Sequence, residues 1–218
     1  MSKTHIDIDI VSDVVCPWCV IGLRALAIAL DRVGADVEFH LQPFELNPDM
    51  APEGENVTEH VARKYGSSAE RSQGVRQAIK DHGAALGFTF NTSPESRIWN
   101  TFDAHRLLHW ADLEGKGLPL KEALFAANFT EGRNVSDRSV LAEVAQSVGL
   151  DSARAQEILD SDAFAEEVRA QEAMWRQNGI QAVPSVLVNQ RWLIQGGQPP
   201  EVFEDAIRRI LNGTATAA

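Results

Sequence analysis

At the start of the chain the apolar positions change period twice. In HIDIDIVS (residues 5–12) Ile6, Ile8 and Ile10 alternate with polar neighbours, the two-residue period of a strand. Asp7 and Asp9 sit awkwardly if both faces are covered, which predicts an exposed start to this strand. From Cys16 to Val33 the spacing becomes helical: Cys19, Leu23, Leu26 and Leu30 fall three or four apart. Pro17 suits a first helical turn, where its missing amide hydrogen has no partner to lose. After Gly34, VEFHLQPF (residues 37–44) reads as a second strand. A strand–helix–strand opening favours parallel pairing through a right-handed crossover.

A Pro/Gly/Asn-rich loop, ELNPDMAPEGEN, follows, and residues 57–178 then read as helical throughout. Within SRIWNTFDAHRLLHWADLEG, Ile98, Phe102, His105 (or Leu108) and Leu113 are expected along one side of a helix. Gly149 followed by Asp151 reads as a helix-ending glycine and the cap of the next helix. The period changes once more in VPSVLVNQRWLIQGGQPP, two β-rich runs around Asn189-Gln190 that predict a hairpin. Val202 to Leu211 closes the chain as a helix. The layout is that of an α/β, thioredoxin-like fold with a large all-helical insertion. It divides the chain into a thioredoxin-like part, residues 1–50 and 179–218, and an insertion, residues 51–178.

Composition narrows the function more than the fold. The 218 residues carry a net charge of −11 with no basic stripe, which excludes non-specific binding to nucleic acid or an anionic membrane surface. No run approaches the length needed to span a bilayer. MSKTHIDIDIVSD shows no apolar segment behind a basic start, so a cytoplasmic location is expected.

The chain has two cysteines, two residues apart, in VSDVVCPWCVIG. In a reducing compartment such a pair is catalytic or metal-binding rather than a structural brace. Structural zinc needs four ligands, and no further cysteine exists; His105 and His109 are the sole histidines at i, i+4 spacing, so no metal site is expected. A redox reading has a physical cause. Cys16 stands where the first helix begins, and unpaired amides and the positive dipole end favour a thiolate there. Cys19, one turn on, is placed to resolve a mixed disulfide. Pro17 and Trp18 set the geometry between them, and Trp18 brings no positive charge.

These motifs together resemble the DsbA-like branch of the thioredoxin superfamily, and most of all its FrnE-type members. The resemblance rests on SDVVCPWCVIG, QPFELNPDM, NTFDAHRLLHWA, EALFAANFTEGRNVSD, GLD and GIQAVPSVLVNQRWLIQGGQP in that order, and on the terminal helix. It implies a redox pair at Cys16 and Cys19 and a cis bond before Pro184, leaving the Val183 backbone open to a substrate strand. A cis bond is found at only about 5–6% of X–Pro positions, so that expectation comes from the resemblance and not from the residue. The resemblance further implies a protein-disulfide oxidoreductase without metal or organic cofactor, with glutathione as a candidate substrate or redox partner. Partners would be disulfide- or thiol-bearing proteins or small molecules, and a homodimer is compatible with the family though no residue requires it. Two other readings stay open: an isomerase or glutathione-dependent enzyme like the hydroxychromene carboxylate isomerases and kappa-class transferases, and a redox-sensing or chaperone-like binding module. Those isomerase relatives carry serine in place of the nucleophile, whereas this chain keeps both cysteines.

Further residues join the candidate site with two readings each. Asn100, His105 and Arg106 match a family motif on a helix expected at the cleft; His105 either assists proton transfer or is a structural histidine. Phe44 and Asn47 shape a loop by the site or simply end a strand. Asp13 is either the proton acceptor of Cys19 or a solvated aspartate. Ser185 and Val186 stand where an aromatic is common, predicting a wider groove. Gly196-Gly197 lacks the context of a phosphate loop.

Overall fold

The computed structural model describes residues 5–215. Strand β1 (His5–Ser12), helix α1 (Pro17–Val33) and strand β2 (Asp36–Pro43) open the chain, with β1 and β2 parallel and in register from His5↔Asp36 to Ser12↔Pro43. At the other end β5 (Ser185–Val188) and β6 (Trp192–Gln195) form a hairpin, and α9 (Pro200–Leu211) follows. The hairpin turns at Asn189 and Gln190, which both take positive φ (51° and 54°), the left-handed pair that matches strand twist. β5 runs antiparallel to β1, giving one sheet in the order β2-β1-β5-β6.

Strand alternation divides the sheet's two faces. Ile6, Ile8 and Ile10, with Val186 and Val188, meet Leu23, Leu26 and Leu30 of α1 and Phe203 and Ile207 of α9 in one core. Val11 points the other way, into a cluster with Phe44, Trp175 and Ile180. The start of β1 is less open than expected. His5 is exposed, but Asp7 is half-buried, and Asp9 is buried with its carboxylate accepting from Gln42 Nε2 at 2.7 Å. A neighbouring amide therefore replaces the water that the aspartate would otherwise need.

Residues 57–178 hold α2 (Val57–Tyr65), α3 (Ala69–Ala85), α4 (Phe102–Leu113), α5 (Gly117–Phe125), α6 (Arg138–Ser147), α7 (Ser152–Leu159) and α8 (Ala165–Gln177). They are not helical throughout. Glu55–Asn56 (β3) and Arg97–Ile98 (β4) pair as a two-residue ladder, and α5 runs on into a π-helical turn, Ala126–Thr130. Helix α4 consequently starts later than its apolar spacing suggests: Ile98 lies in β4, and Leu113 is 69% exposed. The helix is buried nearly all round, through Ala104, Leu107, Leu108 and Ala111, so no single stripe describes it. The helix after Gly149 starts as expected, with Asp151 accepting from the amides of Ala153 and Arg154.

Candidate active site

The turn from β1 into α1 presents both cysteines. Cys16 is the N-cap of α1, Pro17 is its first residue, and no acidic side chain occupies the first turn to offset the helix terminus. The Cys19 amide donates to Cys16 O at 3.0 Å, which sets the second sulfur one turn behind the first. Both are free thiols, 4% and 1% exposed respectively. The Cys16 thiol donates to Val183 O at 3.7 Å, and the Val183–Pro184 peptide beside it is cis. Among the described residues no protein acceptor takes the Val183 amide.

Two glycines allow this approach. A Cβ on Gly22 would lie 2.9 Å from Pro184 Cγ, and one on Gly197 would lie 2.9 Å from Trp18 O. The sequence offers Gly196-Gly197 no role; the fold uses Gly197 to let the β6–α9 turn pack on Trp18 and Gly22. Ser185 and Val186 do not widen the groove, because both are buried and Ser185 Oγ donates back to Ala182 O at 2.9 Å.

Beneath the pair lies a buried polar group. Asp13 is fully buried rather than solvated, and its Oδ2 accepts from the Leu46 amide at 2.7 Å. His105 Nε2 lies 3.4 Å from Asp13 Oδ1. Burial alone would raise the Asp13 pKa, but the imidazole, the Leu46 amide and the charge of Lys121 outweigh it and hold it below the ordinary value. Lys121 is 2% exposed; burial lowers its pKa against the pull of Cys19, Asp13 and Cys16. The Cys19 thiol is pushed well up by burial and by its hydrogen bond and charge coupling to Cys16, while the Asp13 amide and Lys121 act the other way. Lys121 escaped the sequence reading because LKEALF shows only an ordinary helix with one basic position.

The remaining candidates divide. Trp18 flanks the pair, half-buried, with its ring 5.8 Å from that of His82 on α3. Tyr65, the chain's single tyrosine, is 62% exposed at the end of α2, and its pKa is raised by partial burial and then by the charge of Cys16. Asn47 Oδ1 accepts from Lys64 Nζ at 2.7 Å, bracing the loop next to α2. Phe44 is core, packed under the Arg176 guanidinium at 4.3 Å. Asn100 is not a cleft residue: it binds Met50 O at 2.9 Å and caps the Phe102 amide. Nor is Arg106, which is buried, pairs with Asp103 and clasps the carbonyls of Ala163, Ile158 and Ser161. As for metal ligands, His109 stacks on Phe164 (5.2 Å) while His105 meets Asp13. His5, Asp7 and Glu38 converge at the opposite end of β1, a solvent-exposed ion-pair corner.

The comparisons with known proteins fit this geometry. A protein of Bacillus subtilis known as YwbO, itself uncharacterized, is 29% identical over 203 residues, 93% of this chain and 96% of its own. A probable DsbA oxidoreductase from Streptomyces coelicolor superposes with a TM-score of 0.89 at 33% identity, over 98% of this chain and 93% of that one. At the level of fold alone, a 2-hydroxychromene-2-carboxylate isomerase (TM-score 0.69, 15% identity, 95% and 97% covered) and the cytosolic disulfide reductase DsbM of Pseudomonas aeruginosa, solved with glutathione (0.62, 19%, 94% and 99%), are also similar. The family model for the DSBA-like thioredoxin domain matches residues 7–208, and the chain belongs to that family.

Proposed function

We propose that this protein is a thiol–disulfide oxidoreductase in which Cys16 is the nucleophile and Cys19 the resolving thiol. The observation that carries the reading is the placement of Cys16 Sγ at the α1 N-terminus, 3.7 Å from Val183 O. A thiolate there gains from the helix terminus, and a substrate strand pairing with Val183 would bring its sulfur to the same point. In the reducing direction Cys16 attacks one substrate sulfur, the substrate S–S bond breaks, and the departing thiolate takes a proton from solvent. Cys19 then loses its proton and attacks Cys16 Sγ. The Cys16–substrate bond breaks, and the Cys16–Cys19 disulfide holds the two electron equivalents of oxidation. The reverse sequence oxidises a dithiol.

Substrates would be disulfides or thiols of proteins or of small molecules such as glutathione, handled in a reducing compartment without metal or organic cofactor. Retention of both cysteines favours exchange over isomerase chemistry of the hydroxychromene type. The test is reduction of insulin by dithiothreitol, comparing wild type with Cys16→Ser. Acceleration by wild type alone is the expected result, and equal rates for the two proteins would end the proposal.

A further inference from the structure

At the far end of β1 from the cysteines, strand pairing gathers a different set of groups. The odd positions of β1 turn away from the Ile6, Ile8 and Ile10 core. The parallel register sets them against alternate positions of β2, His5 opposite Asp36 and Asp7 opposite Glu38. Like charges directly opposite one another on a sheet face repel. Among the described residues no lysine or arginine lies within ion-pair distance of these three carboxylates; their cationic neighbours are His5 and His40. Hydrogen bonding to Asp7 and then to Asp36 holds the His5 pKa above its ordinary value, yet one imidazolium offsets only one of the negative charges.

The donor atoms are spaced as ligands of one ion. His5 Nε2 lies 3.0 Å from Asp7 Oδ1 and 3.7 Å from Glu38 Oε2. One donor atom from each of the three residues lies within 4.8 Å of the other two. Two ligands about 2.1 Å from one zinc, at a tetrahedral angle, stand about 3.4 Å apart. His5 Nδ1 lies 3.5 Å from Asp36 Oδ2, the outer carboxylate that orients a metal-binding imidazole and leaves Nε2 for the ion. The strand that carries the ligands is held in place. The Asp7 amide donates to Asn189 Oδ1 at 3.0 Å, and its carbonyl accepts from the Asn189 amide at 2.8 Å.

We infer that His5, Asp7 and Glu38 bind one divalent transition-metal ion of the zinc class, with water completing its shell. An imidazole between two carboxylates suits zinc, whereas magnesium and calcium take oxygen ligands. The ion bonds to His5 Nε2 in place of a proton, ties β1 to β2 and cancels the repulsion between Asp7 and Glu38. His40 Nε2, 3.9 Å from Glu38 Oε1, is an outer partner for that ligand. The length of β1 separates the site from the cysteine turn by about 20 Å or more. It therefore stabilises the sheet and takes no part in thiol exchange, so the inference stands apart from the exchange reading.

The test is calorimetric titration with zinc chloride, made on the Cys16→Ser/Cys19→Ser double variant so that no thiol takes the ion. One zinc per chain is expected, with a higher melting temperature in zinc than in chelator. In the same background His5→Ala should abolish binding and Glu38→Gln weaken it at least tenfold. Asp36→Asn should weaken it about 10–100-fold, the usual effect of losing an outer partner. His5, Asp36 and Glu38 are exposed, so none of these changes disturbs packing. Absence of binding, an affinity unchanged by His5→Ala or by Glu38→Gln, or magnesium chloride binding as tightly as zinc would each overturn the inference.

Discussion

Glu45, in the loop after β2, has no exposed surface, and its carboxylate faces Glu172 and Arg169 of α8. The Glu45 amide donates to Glu172 Oε1 at 2.9 Å, so two carboxylates share one arginine. Burial first, then the charge of Glu172, raise the Glu45 pKa from 4.5 to about 7, and Arg169 only partly offsets them. Between those values the folded chain keeps a proton that the unfolded chain has released. Stability therefore falls as pH rises through this window, and the contribution is gone above pH 7. The shift corresponds to roughly 3 kcal/mol. Asp13 works in the opposite sense: its lowered pKa gives stability that is present above the ordinary aspartate value and lost in stronger acid. Glu45→Gln, neutral at every pH, should flatten the decline between pH 5 and pH 8 and melt higher than wild type at pH 8. Thermal melts across that range decide it; a wild-type melting temperature that climbs from pH 5 to pH 8 would contradict the account. Tyr65 offers a second test at this scale. A largely exposed ring at the end of α2, covered on one side by Lys64 Nζ at 5.6 Å and sensing the charge of Cys16, is placed to contact substrate, so Tyr65→Ala should raise KM for insulin several-fold while stability changes by no more than the range of surface substitutions, about 0.5 kcal/mol.

Among the elements, the active-site geometry depends on three chain segments meeting without side chains between them. Gly22 on α1 and Gly197 before α9 each admit a neighbour that a methyl group would displace, Pro184 in one case and the Trp18 carbonyl in the other. Backbone atoms have little room to yield, so Gly197→Ala should cost about 1–3 kcal/mol, the range for overpacking. It should also slow insulin reduction by shifting the Val183 loop off Cys16, while alkylation of Cys16 proceeds as before. A Gly197→Ala protein with wild-type melting and turnover would show that the turn gives way freely. These elements also mark what a single sequence discloses. β1, α1, the hairpin and α9 were legible because each carries its own period and its own stop signals, such as Asn189-Gln190. Pro17 and Cys16 were legible as a helix start for the same local reason. What depends on remote partners was not. Ile98 looked helical until Glu55 drew it into a ladder, and Arg106 looked like a cleft residue although the carbonyls at the end of α7 claim it. Gly197 carries no signal in its own neighbourhood; its necessity comes from Trp18 and Gly22, far away in sequence.

For the molecule as a whole, helix α5 matters most, because it carries a cation from the helical region to the sulfur pair. Lys121 has no carboxylate within salt-bridge distance among the described residues, and its aliphatic stem lies against core, with Nζ 5.4 Å from the Phe125 ring. Burying an ammonium is costly, and burial does lower its pKa. The compensation comes from Asp13 and from whatever negative charge the sulfurs hold. That charge exists in the reduced protein and vanishes when the disulfide forms, so Lys121 stabilises the reduced state relative to the oxidised one. Lys121→Met keeps the packing volume and removes the cation. Its reduction potential should fall by about 30 mV, equivalent to about 1.4 kcal/mol for a two-electron couple. Cys16 should also alkylate more slowly at pH 7, because no buried cation then favours negative charge on the sulfur pair. Equilibration with glutathione buffers, read by the change in tryptophan fluorescence, measures the first effect and timed iodoacetamide quenching the second. A potential that stays put while the melting temperature drops would make Lys121 a packing residue, and would leave the α1 terminus as the main source of thiolate stability. A potential that falls with alkylation slowed would show that the helical region tunes the redox pair by charge, from a helix that contributes no atom to the cysteine turn.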